Sequence, residues 1–361
     1  MTSKERMLAA LRGEPADRAA WAPFLAYWWE TGAPEHVRKK GMPHFMRSAG
    51  ADVLLRGFTC PHKKRYNQTI VSHETTGNPD VRTTRFRTPV GELIAESRFS
   101  PAGDTWFLTG HPVKTEADLK TLAFIARDSI LEPSYDDYET LQAENPDALI
   151  VPNLAPEGKS SFQSLLEYWI GTEELCYMLA DMPEAVEDTL SAMQALSLQA
   201  ARIAAASTAE VFLSWEDTST TNLSPAWYEK YVLPEINQWC DILHGAGKLY
   251  IQHACGHLRA LAPLIAGSRI DGIESVSAPP TGDITPWELA ALLPPHMAMI
   301  SGIEPTFFMN ATIPALEAHV EFLCRTFAGK RFILANADSC PPSVSIDKFA
   351  AVARATKEHG V

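Results

Sequence analysis

Short, uninterrupted apolar runs alternate along this chain with longer stretches whose apolar positions recur every three or four residues. The runs predict strands covered on both faces, and the three-to-four spacing predicts amphipathic helices. A helix opens at Ser3 and closes at Gly13. Two early runs follow, AAWAPFLAYWW at 19–29 and ADVLLRGF at 51–58, with a helical stretch at 34–48 between them. From 116 onward the alternation is regular. ALIVPN (148–153) precedes a helical region at 161–207, EVFLSWED (210–217) one at 224–246, and KLYIQHA (248–254) a short one from His257. DGIESV (271–276), MAMISGI (297–303) and RFILANAD (331–338) precede helices from Thr285, Ile313 and Ser345.

That makes eight strand-like runs, each followed by a helix. The pattern predicts an α/β chain folded as a (β/α)8 TIM barrel, a single domain spanning 1–361. A doubly wound open sheet is the alternative, weakened because no strand-to-helix turn carries G-x-G-x-x-G or a P-loop. The stretch at about 80–112 breaks the rhythm. RTTRFRTPVGELIAESRF alternates with period two, turns at Pro101 and Gly103, and resumes as TWFLTGHPV, which predicts an antiparallel hairpin inserted after the second strand.

Composition narrows the function classes. With 46% hydrophobic and 21% charged residues, the chain of 361 residues has the makings of a sizeable core. A formal net charge of -13 argues against a nucleic-acid partner, and the short basic run HKKR at 62–65 reads as a solvated loop. The N-terminus has no apolar signal region, and no run reaches the length of a membrane span, so a cytoplasmic location is expected. Six scattered cysteines do not form a secreted disulfide framework. Cys176, Cys240 and Cys324 fall at helix positions and are expected in the core, while Cys60 is a distant candidate for chemistry.

In a barrel, reactive groups stand at the C-terminal ends of the strands. Those ends carry Trp28 and Glu30, Phe58, Asn153, Trp215 with Glu216 and Asp217, His253 and Cys255, Glu274, Glu304, and Asn336 with Asp338 and Cys340. His253 and Cys255 share one face because side chains alternate along a strand. Imidazole with thiolate suits zinc. Cys340, past the last strand, opens onto the same mouth and supplies a third donor. Glu274 is either a fourth, displaceable ligand or a rim carboxylate paired with a base. Glu216 and Asp217 are candidates for acid–base work or for orienting His253, with loop capping the competing role for Asp217. Trp28, Trp215, Asn153 and Asn336 are candidates for substrate contact.

ERMLAALRGEPADRAAW, TPVGELIAESRF, LSPAWYEKYVLPEINQW, QHACGHL and NADSCPPSVSIDKFAAVARATKEHG together resemble the uroporphyrinogen decarboxylase superfamily, and more narrowly its cobalamin-dependent methyltransferase branch. The resemblance runs over nearly the whole chain. It implies a (β/α)8 barrel and an H-x-C…C zinc site at His253, Cys255 and Cys340. Cobalamin-independent methionine synthase, with a similar arrangement, makes Glu274 the counterpart of its glutamate ligand. The decarboxylases proper need an arginine-rich N-terminal segment for a polycarboxylate tetrapyrrole, and this chain has WAPFLAYWWETGA there. The implied function is a zinc-dependent methyltransferase moving a methyl group between a corrinoid (cobalamin) on a partner protein and a small substrate: a thiol, tetrahydrofolate, or a methylated or methoxylated compound. A metal-free decarboxylase-like lyase and a non-catalytic corrinoid- or porphyrin-binding barrel stay open as alternatives. So does the oligomeric state, a homodimer included.

Overall fold

The structure, a computed structural model, describes residues 1–75, 77–101 and 105–360. Their backbone divides into two compact units, one formed by 1–60, 135–153 and 207–361, the other by 61–134 and 154–206.

The first unit holds eight short strands: β1 Ala20–Trp21, β2 Leu54–Arg56, β3 Leu149–Val151, β4 Val211–Ser214, β5 Leu249–His253, β6 Gly272–Glu274, β7 Ala298–Ile303 and β8 Phe332–Asn336. β4 to β8 lie side by side in chain order, and β1 adds to the far side of β8 with Ala20 opposite Ile333. β2 pairs in parallel with β3, and a bridge from Asn153 to Leu213 joins β3 to β4. The Asp52 N–H donates to the Trp21 carbonyl at 2.7 Å, which brings β2 back to β1 and completes the ring. The expected α/β barrel is therefore present.

Leu54, Leu149, Val151, Val211, Leu213, Ile251, Ile300 and Ile333 fill its interior. Each such side chain contributes roughly 1.5–3 kcal/mol by leaving water. Two residues further along the same strand faces stand Arg56, Asn153, Trp215 and His253, with Glu274 two beyond Gly272. The alternation that fills the barrel thus aims these polar groups at its C-terminal mouth.

Some elements depart from the periodicity. The run at 19–29 is strand only at Ala20–Trp21, because Pro23 has no N–H to give a ladder, and Trp28–Gly32 forms a π-helical turn instead. The helical stretch at 34–48 is two short helices, Glu35–Arg38 and Met42–Ser48. After β5 the helix is Ala262–Ala266 and does not begin at His257, since the His257 and Leu258 N–H groups donate to Ser219 Oγ and Asp283 Oδ1 and hold the chain as a loop. Pro305–Asn310 is an additional helix, capped by Glu304, whose Oε2 accepts from the Phe307 N–H at 2.8 Å.

In the second unit the expected hairpin is part of a larger sheet. Ile70–Thr75, Val81–Thr88, Gly91–Ser100 and Thr105–Gly110 form four antiparallel strands in chain order. HKKR is not a loop: His62–Tyr66 pairs antiparallel with Ser129–Pro133. The turn expected at Gly103 lies outside the described residues. Helices Glu116–Asp128, Thr172–Asp181 and Pro183–Ala206 complete the unit, the first opened by a reciprocal Thr115–Asp118 cap. Cys240 and Cys324 are buried as expected, whereas Cys176 is exposed on its helix. Among the described residues no helix is long and apolar enough to cross a membrane.

Candidate metal centre

β4 and β5 deliver the reactive groups. His253, 3% exposed, ends β5 with its ring in the barrel mouth. Its Nε2 lies 3.3 Å from Asp217 Oδ1, and its Nδ1 lies 3.0 Å from Glu274 Oε1. The Cys255 Sγ sits 3.7 Å from the same Asp217 oxygen. One donor atom each from Asp217, His253 and Cys255 falls within 4.8 Å of the other two, an oxygen, a nitrogen and a sulfur facing one point.

The backbone gives way to make this possible. Asp217 adopts φ 45°, in the left-handed region that costs a non-glycine residue about 1–3 kcal/mol. That turn brings its carboxylate over the end of β5, against His253 and Cys255. Gly256, at φ 89°, answers from the other strand: a Cβ there would stand 2.8 Å from Ser219 Oγ, the atom that accepts from the His257 N–H.

Glu274 sits on the other side of the imidazole. It is 1% exposed, and its Oε2 accepts from Arg56 at 2.8 Å in a pair buried on both sides. Burial pushes its carboxyl upward, but the Arg56 charge and the His253 contact outweigh burial and hold it below the usual carboxylate range. An ionised Glu274 at Nδ1 fixes the ring proton there and leaves Nε2 facing Asp217 and Cys255. Burial opposes a charge on His253, yet the contacts with Asp217, Cys255 and Glu274 together raise its proton affinity well above normal. Burial raises Asp338 as well, with Asp217 and Glu274 adding to the effect. Asp217 and Glu274 flank the imidazole, with the Arg56 guanidinium paired to Glu274 behind it. Borderline-soft zinc fits this oxygen, nitrogen and sulfur set.

Other expected residues lie elsewhere. Cys340 is fully buried; its N–H donates to the Phe24 carbonyl at 2.8 Å, its thiol faces the Pro341 carbonyl at 3.8 Å, and it stands outside the converging group. Glu216, also fully buried, points out of the barrel and accepts from Ser214 Oγ at 2.6 Å, because it occupies the strand face opposite to Trp215. Trp28 is core: 1% exposed, stacked on Phe45, with its indole N–H donating to the Val344 carbonyl. Asn336 is 1% exposed and clamps the Phe24 backbone, its Oδ1 accepting from the Phe24 N–H and its Nδ2 donating to the Phe24 carbonyl. Asn153 stands at the mouth with its Oδ1 buried and unpartnered. Trp215 does reach the site, its ring edge-on to His253 at 5.1 Å and stacked on Phe24 at 5.6 Å. Gly57, at φ 74°, makes room for that indole, since a Cβ there would approach it to 2.5 Å.

Sequence reasoning missed Phe24 and Arg56. Phe24 follows Ala20 and Ala22 at period two. Arg56 ends an otherwise apolar strand, a place where a charge needs a buried counter-ion.

The model of the uroporphyrinogen decarboxylase (URO-D) family matches residues 111–359. The chain belongs to the URO-D family. No curated protein matches it. Among solved structures, this URO-D chain is similar to a methyltransferase from Methanosarcina mazei, with 13% identity, 99% of each chain covered and a TM-score of 0.64, a likeness of fold. A B12-independent methionine synthase from Shewanella sp. W3-18-1 in complex with selenomethionine matches over 94% of this chain and 96% of its own, with 11% identity and a TM-score of 0.48.

Proposed function

We propose that this URO-D family member is a zinc-dependent methyltransferase acting in the cytoplasm, moving a methyl group between a corrinoid on a partner protein and a small molecule. The convergence of Asp217, His253 and Cys255, with Glu274 and Arg56 behind the imidazole, carries the reading. We treat residues 1–361 as one catalytic domain, with 61–134 and 154–206 inserted into the connections of the barrel.

His253 Nε2, the Cys255 thiolate and Asp217 would hold the metal. Cys340 enters as a further ligand on the strength of the family resemblance, once its thiol turns away from the Pro341 carbonyl. Glu274 is assigned as the partner of His253 and not as a ligand, because its two oxygens already serve His253 and Arg56. When bound, zinc supplies Lewis acidity, sharpening a substrate thiol as a nucleophile or polarising the atom that releases the methyl group. Glu274 keeps the imidazole in the donor tautomer, Arg56 keeps Glu274 ionised, and the Phe24–Trp215 pair shields one side of the site from water. Glu216, buried on the outer strand face, has no place in this scheme.

The test is metal analysis of freshly prepared protein. One zinc per chain, lost in His253→Ala and Cys255→Ser and reduced in Asp217→Ala, supports the reading. Methylcobalamin absorbance, followed against thiols, tetrahydrofolate and methoxylated compounds, then reads out transfer. Zinc-free protein that stays folded overturns the proposal and returns the lyase and binding alternatives.

A further inference from the structure

The face of β4 and β5 turned away from the barrel interior carries a set of polar side chains. Ser214, Glu216, Thr218, Tyr228, Tyr250 and Gln252 are all fully buried. They form two hydrogen-bonded chains. In the first, the Tyr228 hydroxyl donates to Gln252 Oε1 at 3.1 Å, and Gln252 Nε2 donates to Thr218 Oγ1 at 2.9 Å. In the second, the Tyr250 hydroxyl meets Ser214 Oγ at 2.5 Å, and Ser214 Oγ donates to Glu216 Oε1 at 2.6 Å. Burial is the leading cause that pushes both phenols up, so each keeps its proton.

The two chains end on the neighbours of one residue. Glu216 and Thr218 flank Asp217, which adopts φ 45° and places its carboxylate 3.3 Å from His253 Nε2. Ser214 already stands opposite Gln252 in the register of β4 and β5, so a strand running straight on would carry Thr218 roughly 13 Å further, four residues at about 3.3 Å each. The Gln252 amide could not reach it there. The bond closes because the chain bends between Ser214 and Thr218, with Asp217 in the left-handed region, and the closed bond in turn holds the bend. With Glu216 and Thr218 both fixed on the outer face, the side chain between them is left on the inner one. A left-handed residue other than glycine persists where its surroundings over-determine it, and breaking either chain would leave a buried polar group without its partner.

We propose that Gln252 and Tyr228 are positioning residues for the metal centre: through Thr218 they hold Asp217 in its left-handed turn, and Glu216, fixed by Ser214 and Tyr250, braces the turn from the other side. The inference rests on reading Asp217, His253 and Cys255 as a metal site. Glu216 takes no part in the chemistry and acts through its neighbour.

The experiment uses the full chain, stripped of metal and reloaded with zinc or cobalt(II). Thr218→Val removes the acceptor of the Gln252 amide, and Tyr228→Phe, which releases the other end of that amide, is the second variant should the first fail to fold. Each is expected to weaken zinc binding in chelator competition by about tenfold or more. The visible spectrum of cobalt-loaded Thr218→Val should move to that of cobalt-loaded Asp217→Ala, while Thr218→Ser, which keeps the hydroxyl, should retain the native affinity and spectrum. In an Asp217→Ala background Thr218→Val should cost no further affinity, because the donor it positions is gone. Variants that are less stable but keep native metal affinity and spectrum overturn the proposal, and so does an undiminished loss in the Asp217→Ala background. The two readings fail separately. Protein that binds zinc through His253 and Cys255, yet is indifferent to both variants, sinks the positioning alone. Protein that takes up neither metal sinks the metal centre. The positioning is then read from unfolding of the metal-free chain, where Asp217→Gly should raise the midpoint in the native frame and not in Thr218→Val; an equal gain in both overturns it.

Discussion

Replacing Arg56 by methionine removes half of a buried ion pair and leaves the other half in place. The two side chains are 4% and 2% exposed, so water cannot substitute for the lost guanidinium. Removing one partner of such a pair costs roughly 3–5 kcal/mol. The pH dependence follows from Glu274. Its folded carboxyl is depressed, with burial opposing and Arg56 the leading cause in favour, so it stabilises the native protein above the unfolded carboxylate value and loses that contribution as pH falls through the folded one. Without Arg56, burial is opposed by His253 alone and the carboxyl rises. The variant then carries its largest penalty at neutral pH and recovers as acid protonates Glu274. Urea unfolding followed by tryptophan fluorescence is expected to show this as a deficit of roughly 3–5 kcal/mol at neutral pH, narrowing in mild acid to about 1 kcal/mol for the lost neutral contacts. Adding Glu274→Gln to Arg56→Met should restore at least half of the neutral-pH deficit. A deficit that is small at neutral pH, or constant down to mild acid, refutes the assignment of Glu274 as a buried ion held by Arg56.

Glu274→Gln alone should weaken zinc binding by about 10–100-fold in chelator competition, as loss of a partner that orients a ligand histidine does. Asp217→Gly should move stability and metal affinity in opposite directions: glycine relieves the left-handed backbone and raises the unfolding midpoint of metal-free protein, by about 1 kcal/mol, while zinc affinity falls. Gly57→Ala should cost about 1–2 kcal/mol for the left-handed backbone alone, and a shift in emission spectrum would report the displaced Trp215. Trp28→Ala should cost roughly 3–5 kcal/mol as a core deletion, with zinc per folded chain unchanged; loss of zinc in folded protein would contradict its placement in the core.

The barrel was legible because its strands are buried on both faces and its helices on one, a contrast that hydrophobic spacing reports directly. The H-x-C pair was legible for the same reason, since period two puts His253 and Cys255 together whatever the rest of the fold does. What spacing does not report is backbone twist. Asp217 reaches the site through one left-handed residue, and sequence alone gave a loop cap as its competing role. Position at a strand end does not separate the two strand faces: Glu216 and Asn336 stand next in sequence to mouth residues but on the alternate face. Trp28 was grouped there because a run of aromatics reads alike whether it lines a pocket or fills a core. The basic stretch His62–Tyr66 was read as solvated because its charges masked a ladder whose partner, Ser129–Pro133, lies far along the chain.

The pairing of β1 with β8 sets a timetable for assembly. Ala20 meets Ile333, and the Phe24 backbone is clamped by Asn336, so one wall of the mouth is built from the two extremes of the barrel sequence. Contacts of such separation are entropically expensive to close and tend to form late. During synthesis the side of the first strand that faces β8 stays unpaired until the eighth has left the ribosome. His253 and Cys255 stand on β5 and the turn after it, between β4 and β6, so the contacts around them span shorter stretches of chain and cost less to close than the aromatic wall beside them. Until β8 docks, the Cys255 thiol lacks that wall, and oxidant would reach it most readily in that interval.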